Sequence, residues 1–133
     1  MIKSDKQITG MTGVYLVAAE LSQRGLITTV TSRNVKAADI LAATPDAKKT
    51  FAVQVKTNST SLKYWLVGEH LLHTPNLIYV FVRLKKDKPC DFYVVHSKSV
   101  ARNTFHEKYG KTKTYWHSFV PAEKDLNNWV LFD

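Results

Sequence analysis

The sequence holds one cysteine, Cys90, in 133 residues. No disulfide can close within the chain, which excludes a stapled secreted scaffold and makes a reducing compartment, the cytoplasm, the expected location. No apolar run approaches the roughly 20 residues needed to cross a bilayer, so no membrane-spanning segment is expected. The opening MIKSDKQITGMTG has the charges of a signal peptide without the apolar segment that should follow them. Glycine and proline are few, at five and four residues, and the chain contains no low-complexity tract, repeat or linker. Acids are scarce too: 11 Asp+Glu stand against 19 Lys+Arg, a formal net charge of +8. That surplus favours a polyanionic partner, nucleic acid first and an anionic membrane surface second.

What is present suits one globular unit. With 44% hydrophobic residues, a chain of this length buries roughly two-thirds of the surface it exposes when unfolded. A single domain over residues 1–133 is expected. From Gly13 to Gly25, Val14, Val17, Ala18 and Leu21 recur at helical spacing, with Thr12 available as N-cap and Gly25 as stop. Three β-rich segments follow, Leu26–Ser32, Ala38–Thr44 and Thr50–Thr57, the last two joined by the turn Pro45–Lys49. Asn58–Lys63 reads as loop, and Tyr64–Leu72 as a short helix or an irregular excursion. Leu77–Arg83 and Asp91–His96 form a predicted hairpin across a lysine-rich turn, and Ser97 can cap a helix running to about Tyr109. The order points to an α/β architecture, a mixed central sheet flanked by helices.

Polar groups interrupt this apolar pattern at Glu20, Asp39, Gln54 and Lys56. Strand alternation puts Phe51, Val53 and Val55 on one face of the third strand and Ala52, Gln54 and Lys56 on the other. Each polar residue also has a purely structural reading: Glu20 can pair with Arg24 at i, i+4, Asp39 can belong to a turn, and Lys56 can snorkel from a sheet edge. A hairpin centred on Ala47 sets Asp39 opposite Val55, on the wrong face to meet Gln54 and Lys56. Bringing the three together requires a register one residue away, or a bulge.

The blocks Gly13–Gly25, Ala38-Asp-Ile-Leu-Ala and Phe51-Ala-Val-Gln-Val-Lys-Thr57, continued by Leu77–Val82, Phe92–Val95 and Leu126–Leu131, resemble the PD-(D/E)xK nuclease-like superfamily. The likeness is strongest to small bacterial members whose third-strand motif reads Gln-x-Lys. It implies a restriction-endonuclease-like αβββαβ core and hydrolysis of DNA phosphodiesters. It also implies a catalytic set of Glu20, Asp39, Gln54 and Lys56. A Mg²⁺ or Mn²⁺ ion would be held by Asp39, the Gln54 amide oxygen, the Val55 carbonyl and Glu20. Such a cation suits oxygen donors and activates a bound water, while the motif lysine stabilises developing charge. Gln54 stands where relatives carry an acid and Ala38 where they often carry glycine, so this site has one negative charge fewer and depends on Glu20 to make it up.

Lys63, Lys111 and Lys113 lie among aromatics, a mixture that suits phosphate contact and base stacking. His70 and His73 sit at i, i+3 without the further ligands a zinc site needs. Two readings from other classes stand beside the nuclease: a nucleic-acid-binding module of the same fold, and an interaction or assembly protein. Because one small site cuts both strands of a duplex most simply as a pair, a homodimer is a further expectation.

Overall fold

In the computed structural model the described residues are 5–32, 38–68, 71–109 and 114–133, those of 105–109 and 114–116 by backbone alone. Lys111, Lys113 and His70 lie outside them. The first helix, α1, spans Lys6–Gln23 and starts a full two turns before the expected point. Asp5 is its N-cap, accepting from the Ile8 amide at 2.7 Å. Thr12, the expected cap, instead turns its hydroxyl back onto the Ile8 carbonyl within the helix. Gly25, at φ 95°, ends the turn, with Leu26 N–H closing onto Leu21 O. Val14, Val17 and Leu21 are buried as their spacing requires.

Strands β1 (Ile27–Val30), β2 (Ile40–Ala43) and β3 (Thr50–Asn58) form an antiparallel meander. The short β4 (Trp65–Leu66) belongs to a second sheet. β5 (Leu77–Lys85) lies parallel to β3, and β6 (Lys88–His96) returns antiparallel across a tight turn at Lys86-Asp87. The five-stranded order is β1-β2-β3-β5-β6. β5 is an interior strand buried on both faces, which is why Leu77–Val82 reads as an unbroken apolar run. α2 covers only Ser97–Asn103. The expected continuation to Tyr109 is a strand, β7 (Phe105–Tyr109), paired antiparallel with β8 (Thr114–Phe119) in a sheet ordered β4-β8-β7. His96, not Ser97, caps α2 through Nδ1. Ser97 is fully buried and exchanges hydrogen bonds with Thr74.

The sheet thus carries a core on each face. On one side Val14, Val17 and Leu21 of α1 pack on Ile40, Val53, Val55 and Val80. On the other, Tyr79 and Phe81 meet Trp65, Val100 and Phe119. Trp129 and Phe132, in a closing 3-10 turn, complete the α1 side. No helix is long and apolar enough to cross a membrane among the described residues.

Candidate active site

The β2–β3 hairpin decides where the motif residues go. Its loop is Pro45–Lys48, between Thr44 and Lys49, whose main chains pair at 2.9 Å. Ala47 N–H closes onto Thr44 O, and the Thr44 hydroxyl and Lys48 amide both donate to the Asp46 carboxylate, holding it below the ordinary acid range. The four-residue loop centres the hairpin between residues 46 and 47, so Ile40 pairs with Val53 and Ala42 with Phe51. Continued by one step, Asp39 falls opposite Gln54. The alternative register, centred on Ala47, would set Ile40 opposite Gln54 and turn Asp39 toward the α1 core. Exposing an aliphatic side chain as large as Ile40 costs roughly 1.5–3 kcal/mol, and burying a lone carboxylate costs more.

Asp39 therefore shares a face with Gln54 and Lys56, without a bulge. Its main chain is tied on both sides: its N–H donates to Val53 O at 2.8 Å, and its carbonyl accepts from Thr31 N–H at 2.9 Å. Its Oδ2 accepts from Val55 N–H at 2.8 Å, taking the place of a ladder partner where β2 leaves β3. Val53 and Val55 aim their main-chain polar groups at the same edge, and the β2 pairing stops at Val53. Asp39 Oδ1, the Gln54 amide and the Val55 carbonyl are thus oxygen donors on or beside one sheet edge. One carboxylate, one amide and one carbonyl suit a hard divalent cation that keeps several of its waters. No group of three His, Cys, Asp or Glu side chains gathers among the described residues, so nothing there invites a softer ion.

Lys56 is half-buried, and burial lowers its ammonium pKa from the ordinary 10.5, opposed in part by the charge of Asp39. It forms no ion pair among the described residues. Tyr79, missed by sequence reasoning, stands directly beside Gln54 in the β3–β5 ladder. Its phenol is pushed above its usual value, first by burial and then by Asp39. A lone hydroxyl in the Leu77–Val82 run was the only sequence signal for it. On this face the β1–β2 half of the sheet is open, with Ile27 and Leu41 58% and 50% exposed, so Asp39 lies where cover gives way to solvent.

Glu20 does not join the group. It sits on α1, across the sheet from Gln54 and Lys56, with Oε2 3.4 Å from Arg24 Nε in the i, i+4 pair that the helix spacing allows. It lines a groove with Leu16, Cys90 and Phe92. Cys90 is half-buried there, and burial raises its thiol pKa, which favours the protonated form. Lys63 is exposed beyond the end of β3. Trp65 is 2% exposed and belongs to the core, not to a base-stacking surface.

No protein-family model matches this sequence, and neither does any curated protein. By structure, the chain is similar to a bacterial homing endonuclease, I-Ssp6803I, with a TM-score of 0.60 over 98% of this chain and 92% of that one, at 13% identity. The fold is nuclease-like.

Proposed function

We propose that the protein is a nuclease of the PD-(D/E)xK type that hydrolyses DNA phosphodiesters with Mg²⁺ or Mn²⁺. The observation that carries this is the shifted hairpin register, which brings Asp39, Gln54 and Lys56 to one face of the sheet. The similarity in fold to a homing endonuclease and the +8 net charge support it. Asp39 Oδ1, the Gln54 amide oxygen and the Val55 carbonyl would hold the ion, and Glu20 would not. When bound, the ion supplies Lewis-acid activation of water and neutralises charge on the phosphate. Val55 N–H fixes the Asp39 carboxylate in one orientation. Lys56 offers its Nζ protons to the negative charge that grows on a phosphate oxygen, and partial burial strengthens that attraction.

The test is incubation of plasmid, linear and branched DNA with Mg²⁺, Mn²⁺ or EDTA. Metal-dependent cleavage lost in Asp39→Ala and Lys56→Ala is expected, and equal cleavage by those variants overturns the reading. A second reading rests on a specific observation: Gln54 is neutral and Glu20 points elsewhere, leaving one carboxylate at the site. Salt-sensitive DNA retention without cleavage under any metal favours a binding module of the same fold.

A further inference from the structure

Beyond β3 the chain forms a loop that is held from inside. Arg83 lies opposite Asn58 at the end of the β3–β5 ladder, on the face that carries Tyr79 and Phe81. Its guanidinium donates to the Thr60 carbonyl at 2.6 Å and to the Leu62 carbonyl, and lies 4.7 Å over the Trp65 ring. Asn58 Nδ2 donates to Tyr64 O at 2.7 Å and ties the two ends of the loop together. Three carbonyls are thereby satisfied on the inner side. Lys63, exposed, borders a groove shared with Ser61, Arg83, Lys85, Asp91 and Tyr93. Asp91 pairs with Lys85 at 2.9 Å, so the net surplus in this groove comes from Lys63 and Arg83.

We propose that this groove is a second phosphate subsite, in which Lys63 and the Ser61 hydroxyl meet a backbone phosphate flanking the scissile one and Arg83 is the positioning residue for the loop. The inference rests on the reading that DNA is the substrate. Position supports it: Asn58, with Arg83 opposite it on β5, lies two residues past Lys56 and four past Gln54 along β3, on the order of 7 and 13 Å. At ~3.4 Å of duplex rise per nucleotide, the larger separation is about four steps. Chemistry decides between backbone and base contact. Within the groove Trp65 is buried beneath Arg83 and Tyr93 packs on Trp65, while the exposed Tyr64 ring is not part of its lining, so the groove favours charge and hydroxyl contact over stacking. Contact there is independent of sequence.

The test is retention of a labelled duplex in EDTA, where cleavage plays no part, measured across salt concentrations for wild type, Lys63→Ala, Arg83→Lys and a control, Lys124→Ala, in the 3-10 turn Glu123–Asp125 outside the groove's lining. Loss of one phosphate contact lowers the salt slope by ~0.9. Lys63→Ala and Arg83→Lys are both expected to lose about that much. Lysine cannot serve two carbonyls and a ring together, so Arg83→Lys should also be cut faster by trypsin in the 59–64 loop at unchanged melting temperature. Wild-type slopes in Lys63→Ala and Arg83→Lys, or an equal loss in Lys124→Ala, overturn the subsite. So does the absence of any duplex retention at low salt. If cleavage depends on Asp39 and Lys56 while these slopes stay unchanged, the subsite fails and the nuclease stands. If the slopes fall and no variant or wild type cleaves, the subsite stands and the nuclease fails.

Discussion

Lys56 sits where its surroundings oppose its own charge. Burial lowers its pKa from 10.5, so the unfolded chain holds that proton more tightly than the folded one. Stability from this group therefore rises with pH through the window between the lowered value and 10.5, and the penalty is complete below that window. Lys56→Met should melt above wild type at pH 7, with the gap closing as pH approaches 10.5; a gap that stays constant or widens contradicts this. Gln54 is the converse, a neutral group where a charge would serve. Gln54→Glu should reduce the Mg²⁺ concentration for half-maximal cleavage about tenfold, roughly 1.4 kcal/mol of added attraction, as read by metal titration of cleavage. Tyr79→Phe removes one hydroxyl beside Gln54 and leaves the ring stacked on Phe81. A severalfold drop in turnover with unchanged melting temperature is expected. Equal turnover would leave Tyr79 a core aromatic.

Between elements, α1 comes close to β3 at Gly13. A Cβ built on Gly13 would lie 1.9 Å from Thr57 Oγ1 and 3.0 Å from its Cβ. In most helices glycine to alanine gains up to ~1 kcal/mol. Here Gly13→Ala should lower the melting temperature, because helix and strand must separate to admit the methyl. Thr57 Oγ1 is buried with no hydrogen-bond partner among the described residues. Thr57→Val should therefore stabilise by ~1 kcal/mol in denaturant unfolding. Glycine at positions 10 and 13 also explains why the start of α1 was misplaced from sequence: two weak helix formers resemble a boundary, and only the close approach of β3 shows why one is needed. The hairpin register was readable in principle. Matching Ile40 and Ala42 to the face of Val53 and Phe51 selects it, whereas counting from the middle of the turn does not. The α2 boundary was hidden because residues beyond Asn103 find their partner in β8, a contact between segments that no local propensity reports.

Over the whole molecule, charge and catalysis separate. A net charge of +8 favours a polyanion whether or not the proposed site cuts. Asp39→Ala should abolish cleavage yet retain duplex as tightly as wild type or slightly more so, since it deletes a negative charge near the proposed path of the backbone. Filter retention in EDTA reads this directly. Markedly weaker retention would mean that Asp39 supports the surface and not the reaction. The arrangement of layers agrees with this division. α1 and the closing Trp129–Phe132 turn cover one face of the sheet, and the β4-β8-β7 sheet covers only part of the other. The open remainder is where Asp39 lies.

Composition and periodicity alone determined the α/β class, the buried stripe of α1, the apolar β5 run and the pairing of Gln54 with Lys56 on one strand face. Those properties follow from side-chain repeats within a segment. Whether Asp39 meets that pair, and whether Glu20 does, depended on how segments dock. Register fixed the first through the burial of Ile40 against Val53. The docking of α1 on the other face, through Val14, Val17 and Leu21 against the sheet, keeps Glu20 from that pair and leaves it to Arg24 on its own helix.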